Sequence, residues 1–111
     1  MNNPFNILIK EQLSSVTFVQ DYLQLDFDGH KLTCYSWPEI IISSKSIIFP
    51  TESYRNILCS FIAKEVNAVE YKDEQYLRFI FNQGKQLFFN LLNSSKEVIY
   101  FTTYKGEWAS I

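Results

Sequence analysis

The only histidine in the chain, His30, follows Asp26 and Asp28 on a short stretch that also carries Lys31, Thr33 and Cys34. Imidazole beside a carboxylate is the side-chain pair best suited to moving protons near neutral pH. His30 with Asp28 or Asp26 is therefore the candidate centre of a small hydrolase or nuclease. The opposing expectation is that His30 serves the turn it follows, because no serine or cysteine lies close to it in sequence. Cys34 alternates with Leu32 and is expected to face a core, where a thiol is inert. Cys59 falls off the apolar stripe of a helix and is expected to be the more exposed thiol. Asp21, Asp26 and Asp28, with Asp73 and Glu74 further on, are oxygen donors, but no EF-hand spacing or His-carboxylate set turns them into a metal site. P-loop, GxGxxG and GxSxG patterns are missing, and three glycines are too scattered to cradle a phosphate. No catalytic residue, metal ligand or cofactor is assigned on these grounds.

The stretch that positions these residues is Tyr22 to Tyr35. Polar and apolar residues alternate up to Asp28-Gly29 and alternate again beyond it, which is a strong hairpin signal. With Asp28-Gly29 as the loop, Leu25 faces Leu32 and Leu23 faces Cys34 on the inner side. The outer side then sets Tyr22 against Tyr35, Gln24 against Thr33 and Asp26 against Lys31, an apolar and charge pairing that is self-consistent. Tyr76 to Phe89 reads as a second hairpin, looped at Asn82-Gln83-Gly84, that aligns Phe79 with Leu87 and Leu77 with Phe89.

The match between the halves runs further. Leu8, Ile9, Leu13, Val16 and Phe18 correspond to Phe61, Ile62, Val66, Val69 and Tyr71. Asn3-Pro4 opens a helix expected over about residues 4–12, with a strand through Ile7 and Ile9 as the competing reading. Thr51-Glu52 opens a second, whose stripe is Tyr54, Ile57, Leu58, Phe61 and Ile62, with Lys64 in its last turn. A strand through Val16 and Phe18 precedes the first hairpin. Strands at 66–72, 76–82, 85–91 and 97–104, a smaller pair near 40–49, and a turn at Asn93-Ser94-Ser95 complete the reading. The expected fold class is α+β: pseudo-duplicated αβββ units, about 4–37 and 54–91, forming a mainly antiparallel sheet with helices packed on one face. Residues 1–111 are expected to form a single domain.

Composition narrows the partners. Of 111 residues 47% are hydrophobic and 17% aromatic, ample for a core without staples. Formal net charge is −2, and no Lys/Arg run suggests the basic patch that nucleic acid or an anionic membrane would require. The first residues lack the charged start and apolar run of a secretory signal, and no apolar run approaches a membrane span. The expectation is a cytoplasmic chain with reduced thiols.

Tyr22, Gln24, Asp26, Asp28 and Tyr35, with Trp37 at the end, make the outer hairpin face the candidate partner-binding surface, since Tyr and Trp are enriched where proteins meet. The run from Val16 to Gly29, then Leu32-Thr33 and Trp37-Pro38, resembles a group of small uncharacterised bacterial proteins sharing a V-x-F-V-x-D-Y-x-Q-L-x-F-D-G core. Pro50 to Arg55, Leu58-Cys59 and Trp108 extend that resemblance, which departs at Glu52, where the group's pattern has glycine. Its shared residues are apolar and turn positions, so it implies a fold and no catalytic residue. The leading expectation is a protein-binding module, in its most concrete form an immunity-type inhibitor that neutralises a basic bacterial toxin domain. Alternatives are a small-ligand or homodimeric binding module and the His30 hydrolase or nuclease.

Overall fold

Asp28 at φ 54° and Gly29 at φ 101° supply the two left-handed positions that a two-residue hairpin turn demands. They join β2 (Leu23–Phe27) to β3 (His30–Cys34) in the expected register, Leu25 opposite Leu32 and Asp26 opposite Lys31. The computed structural model of the chain describes residues 3–92 and 97–111, so the turn expected at Asn93-Ser94-Ser95 lies outside the described residues. Ahead of the hairpin lies β1 (Ser15–Phe18), and behind it β4 (Glu39–Ile42) and β5 (Lys45–Ile47). One α-helix, α1 (Tyr54–Cys59), precedes β6 (Val66–Lys72), β7 (Tyr76–Phe81) and β8 (Lys85–Asn90), and β9 (Ile99–Thr102) and β10 (Trp108–Ser110) end the chain. The second hairpin also pairs as expected, Phe79 with Leu87 and Leu77 with Phe89.

These strands do not form one helix-backed sheet. They form two five-stranded antiparallel sheets, ordered β1-β2-β3-β9-β10 and β5-β4-β8-β7-β6. The α+β expectation is thereby corrected: this is a β-rich fold in which each sheet covers the other. In chain order each half is a helical segment followed by three strands, Pro4–Leu8 with β1–β3 and α1 with β6–β8, but the two halves make separate sheets that each take in one more hairpin. The hairpin β4–β5 follows β3 in the chain yet pairs with β8, and β9–β10 follows β8 yet pairs with β3.

Both expected helices are shorter than their apolar spacing suggested, for a tertiary reason. Asn3 caps the first through Oδ1, which accepts the Phe5 amide at 3.0 Å, and Pro4 sits at its start. It winds as a 3-10 helix and stops at Leu8. Lys10 then turns to φ 74°, and its N–H donates to the Val66 carbonyl at 2.7 Å. The second helix repeats the manoeuvre. Residues beyond Cys59 tighten into i→i+3 bonds, Ala63 turns to the same φ of 74°, and its N–H donates to the Leu13 carbonyl, also at 2.7 Å. Leu13 N–H to Lys64 O and Val66 N–H to Glu11 O form another reciprocal pair around the Gln12–Glu65 bridge. The backbone thus spends its next turns joining the two halves, which outweighs one further helical turn on each side. What remains of the helices lies beside edge strands, the 3-10 segment against β6 and α1 against β1.

Inward residues follow strict alternation: Leu23, Leu25 and Phe27 on β2, Leu77, Phe79 and Phe81 on β7, with Leu32, Cys34, Leu87, Phe89, Ile99 and Phe101 beside them. Phe27 and Phe79 meet across the sheets with ring centres 5.9 Å apart, and Phe5 inserts between Phe79, Phe101 and Tyr71. No helix among the described residues is long and apolar enough to cross a membrane.

Candidate functional site

The outer face of the first sheet is built from the residues that alternate with this core. Two rows run across its five strands: Thr17, Gln24, Thr33, Tyr100 and Ser110, then Ser15, Asp26, Lys31, Thr102 and Trp108. Gln24 Nε2 donates to Thr33 Oγ1 at 3.2 Å, which holds the centre of the first row in place. Tyr22 and Tyr35 continue the hairpin register outside the strands and meet edge to face, with ring centres 6.3 Å apart. At the other side Tyr100 and Trp108 stack at 6.0 Å. Tyr35 is 45% exposed and Trp108 66%.

The six residues expected to bind a partner divide into three groups. Tyr22, Gln24 and Tyr35 lie on this face. Asp26 and Asp28 sit at the turn: Asp26 Oδ1 accepts the Gly29 amide at 2.7 Å, while Asp28 is exposed and only its backbone amide is engaged, donating to Ser14 Oγ at 3.2 Å. Ser14 Oγ also donates to the Asp26 carbonyl at 2.8 Å, tying the hairpin tip to the segment before β1. Trp37 leaves the face altogether. It stacks on Phe49 at 4.0 Å, near Phe18 and Tyr54, and the Arg55 guanidinium lies 5.5 Å from its ring centre. Proline after it ends the outward-facing strand geometry, and the aromatic cluster at that end of the molecule then absorbs the indole. Tyr100 and Trp108 enlarge the face in its stead. Alternation of Tyr100 with Ile99 and Phe101 marked it as outward-facing, but nothing local told which sheet β9 would join.

His30 is 3% exposed. Its Nδ1 accepts the Tyr104 amide at 3.4 Å, and its ring meets the Tyr104 ring edge to face at 5.2 Å. An imidazole nitrogen receiving a backbone N–H is an acceptor fixed in place, so His30 positions the β9–β10 loop over the hairpin tip. Cys34 is fully buried and burial drives its thiol well above the usual range, whereas Cys59 is exposed. Asp73 accepts the Tyr71 hydroxyl at 3.0 Å. Burial first, then that hydrogen bond and the Asp73 and Glu74 charges, push the Tyr71 phenol up to about 12. Among the described residues no group of three or more His, Cys, Asp or Glu side chains gathers closely enough to hold a metal ion.

The outer face of the second sheet has a different chemistry. Arg78 lies over the Phe88 and Tyr76 rings, 3.3 Å from a Glu70 oxygen, and donates to Gln86 Oε1 at 2.6 Å. That face carries its charge already matched to neighbours within the sheet. The first face instead presents two aromatic pairs around a polar centre, each with one exposed ring, Tyr35 or Trp108, packed on a half-buried one. No family model, curated protein or solved structure matches the chain.

Proposed function

We propose that the chain is a cytoplasmic protein-binding module, in its most concrete form an immunity-type inhibitor that lays the outer face of its first sheet on a basic toxin domain. The observation that supports this is the pair of aromatic clusters, Tyr22–Tyr35 and Tyr100–Trp108, flanking Gln24 and Thr33 on an uncovered sheet. Tyrosine and tryptophan carry much of the binding energy where proteins meet, and a bonded polar centre fixes orientation. Carboxylates at the hairpin tip and a formal charge of −2 favour encounter with a basic surface.

The test is co-expression with the products of neighbouring genes, one of which arrests growth when expressed alone. The wild-type chain restores growth and co-purifies with that product. Tyr35→Asp and Tyr100→Asp, on the solvent side of the sheet, fold normally and weaken the complex more than tenfold, about 1.4 kcal/mol. Either variant protecting as well as wild type, or no neighbouring product being bound, overturns the reading.

A further inference from the structure

The four sheet edges are treated unequally. Strand β1 has α1 beside it and β6 has the 3-10 segment, while β5 carries Lys45 and a Ser46 hydroxyl bonded to Glu39. Strand β10, Trp108-Ala109-Ser110, is as short as β5 but has no charge, proline or bulge to blunt its edge. Thr103 N–H bonds to Glu107 O and Ile111 N–H to Ile99 O, so alternate residues, Glu107, Ala109 and Ile111, turn their amides toward β9. Antiparallel alternation then points the N–H and C=O of Trp108 and Ser110 to the open side.

Directly inside this edge lies a groove of about 350 Å³, whose lining is apolar at Pro4, Ile7, Phe101, Trp108 and Ala109 and polar at Asn3, Thr103 and Glu107. Its origin can be read from the other sheet. Leu32 pairs with Phe101, which pairs with Ala109; at the corresponding place Leu87 pairs with Ile40, which pairs with Ile47. Ile47 is half-buried against the core. Alanine stands where the other sheet has isoleucine, so the groove is a space that an aliphatic side chain fills elsewhere in this molecule. Glu107 is exposed and forms no ion pair with another described residue.

We propose that β10 accepts an extended strand from a protein partner, which adds a sixth strand to the first sheet. The partner strand bonds to the outward amides and carbonyls of Trp108 and Ser110. It lowers one aliphatic side chain beside Ala109 into the groove and sets a lysine or arginine against Glu107. Main-chain pairing supplies the affinity in this mode and alternate side chains supply the specificity. The proposal rests on the reading of the chain as a protein-binding module and adds the way it takes hold of its partner.

The probe is a blocked peptide, acetyl-Thr-Lys-Thr-Ile-Thr-Lys-Thr-amide, whose lysines lie two residues from the isoleucine and so on its face, titrated into the isotope-labelled full chain. Amide resonances of Trp108 and Ser110 are expected to shift and to become protected from exchange. Ala109→Ile, filling the groove from within, weakens binding at least tenfold, and Glu107→Gln weakens it several-fold. N-methylating the peptide along its pairing edge abolishes it, which keeps the test decisive should Ala109→Ile fail to fold. Tyr35→Asp leaves peptide binding unchanged, so loss of toxin protection and loss of strand addition are separable. Shifts confined to β5 or to the outer face, binding indifferent to Ala109→Ile, tolerance of the N-methylated peptide, or a chain that pairs β10 only with a second copy of itself in sedimentation would each overturn the proposal.

Discussion

Phe79 ties the second sheet to the first and to the 3-10 segment. It stands on β7, next to the edge strand β6 of the second sheet, and meets Phe27 of the first at 5.9 Å, Phe5 at 6.3 Å and Phe89 of its own sheet at 6.1 Å between ring centres. Replacing it with leucine keeps an apolar, buried side chain but ends all three aromatic contacts. At about 0.5–1.5 kcal/mol per pair the loss lies between about 1.5 and 4.5 kcal/mol. Alanine would add a cavity and cost about 3–5 kcal/mol, a large part of the roughly 5–15 kcal/mol that holds a domain of this size folded. Leucine is therefore the informative substitution. Urea unfolding reads it as a shift in midpoint at constant slope. With a slope of about 1–3 kcal/mol per molar urea, a loss near 2 kcal/mol moves the midpoint by about 1 M. Phe27→Leu and the double variant close a thermodynamic cycle. Because the Phe27 and Phe79 rings meet, the cycle is expected to leave a coupling of about 0.5–1.5 kcal/mol. Strictly additive losses, or a Phe79→Leu chain as stable as wild type, would mean that the sheets do not pack face to face at these rings.

Three more substitutions probe other parts of the argument. Gly29 sits at φ 101° with Tyr104 Cβ 3.3 Å from where its own Cβ would be, so Gly29→Ala is expected to cost about 1–3 kcal/mol in urea unfolding. The buried Tyr54 hydroxyl donates to the Pro38 carbonyl, and Tyr54→Phe leaves that oxygen without this donor at a cost of about 1–3 kcal/mol, again read from the urea midpoint. Cys34 gives a pH signature: burial raises its folded thiol above the ordinary 9.0, so the unfolded chain releases this proton first. Its contribution to stability is complete below pH 9 and falls as pH rises beyond it, at up to about 1.4 kcal/mol per unit for one proton. Tyr54 and Tyr71, also raised, add to the fall from near pH 10. Cys34→Val should flatten the slope between pH 9 and 10, and a wild-type stability independent of pH there would refute the account.

Local pattern and non-local partner choice separate cleanly in this chain. Alternation plus turn chemistry was enough to place Leu25 opposite Leu32 and Phe79 opposite Leu87, because a hairpin's register is decided by the residues within it. Helix length was misread because the stripe from Tyr54 to Ile62 is apolar for two reasons. Tyr54 and Leu58 face the core from α1, whereas Phe61 reaches it from the tighter turn beyond, and Ile62 is 38% exposed. A period near 3.6 cannot distinguish those cases. Of the candidate face, the part contributed by the first hairpin was legible, and the part contributed by β9 and β10 was not. Trp37 was misplaced for the complementary reason, since its neighbours Phe18, Phe49 and Tyr54 come together only after folding.

The exchange of hairpins explains why the face is as large as it is. Three strands from each half would leave β3 and β8 as edges, each with a row of unpaired amides next to an apolar inner surface. Passing β4–β5 to β8 and β9–β10 to β3 pairs both strands and widens each sheet to five, at the entropic cost of closing long loops. Neither sheet is complete without strands from both halves of the chain. The widening also brings Tyr100 and Trp108 into register beside Gln24, Thr33 and Tyr22–Tyr35, extending a hairpin's outer side across five strands. Exposure is thereby moved from strands inside each sheet to the short outer strands β5 and β10. Of these, β10 carries no charge, and it borders the groove beside Ala109. A fold that protects its interior strands in this way leaves its unpaired backbone amides and carbonyls at that margin, where the proposed strand addition would take place.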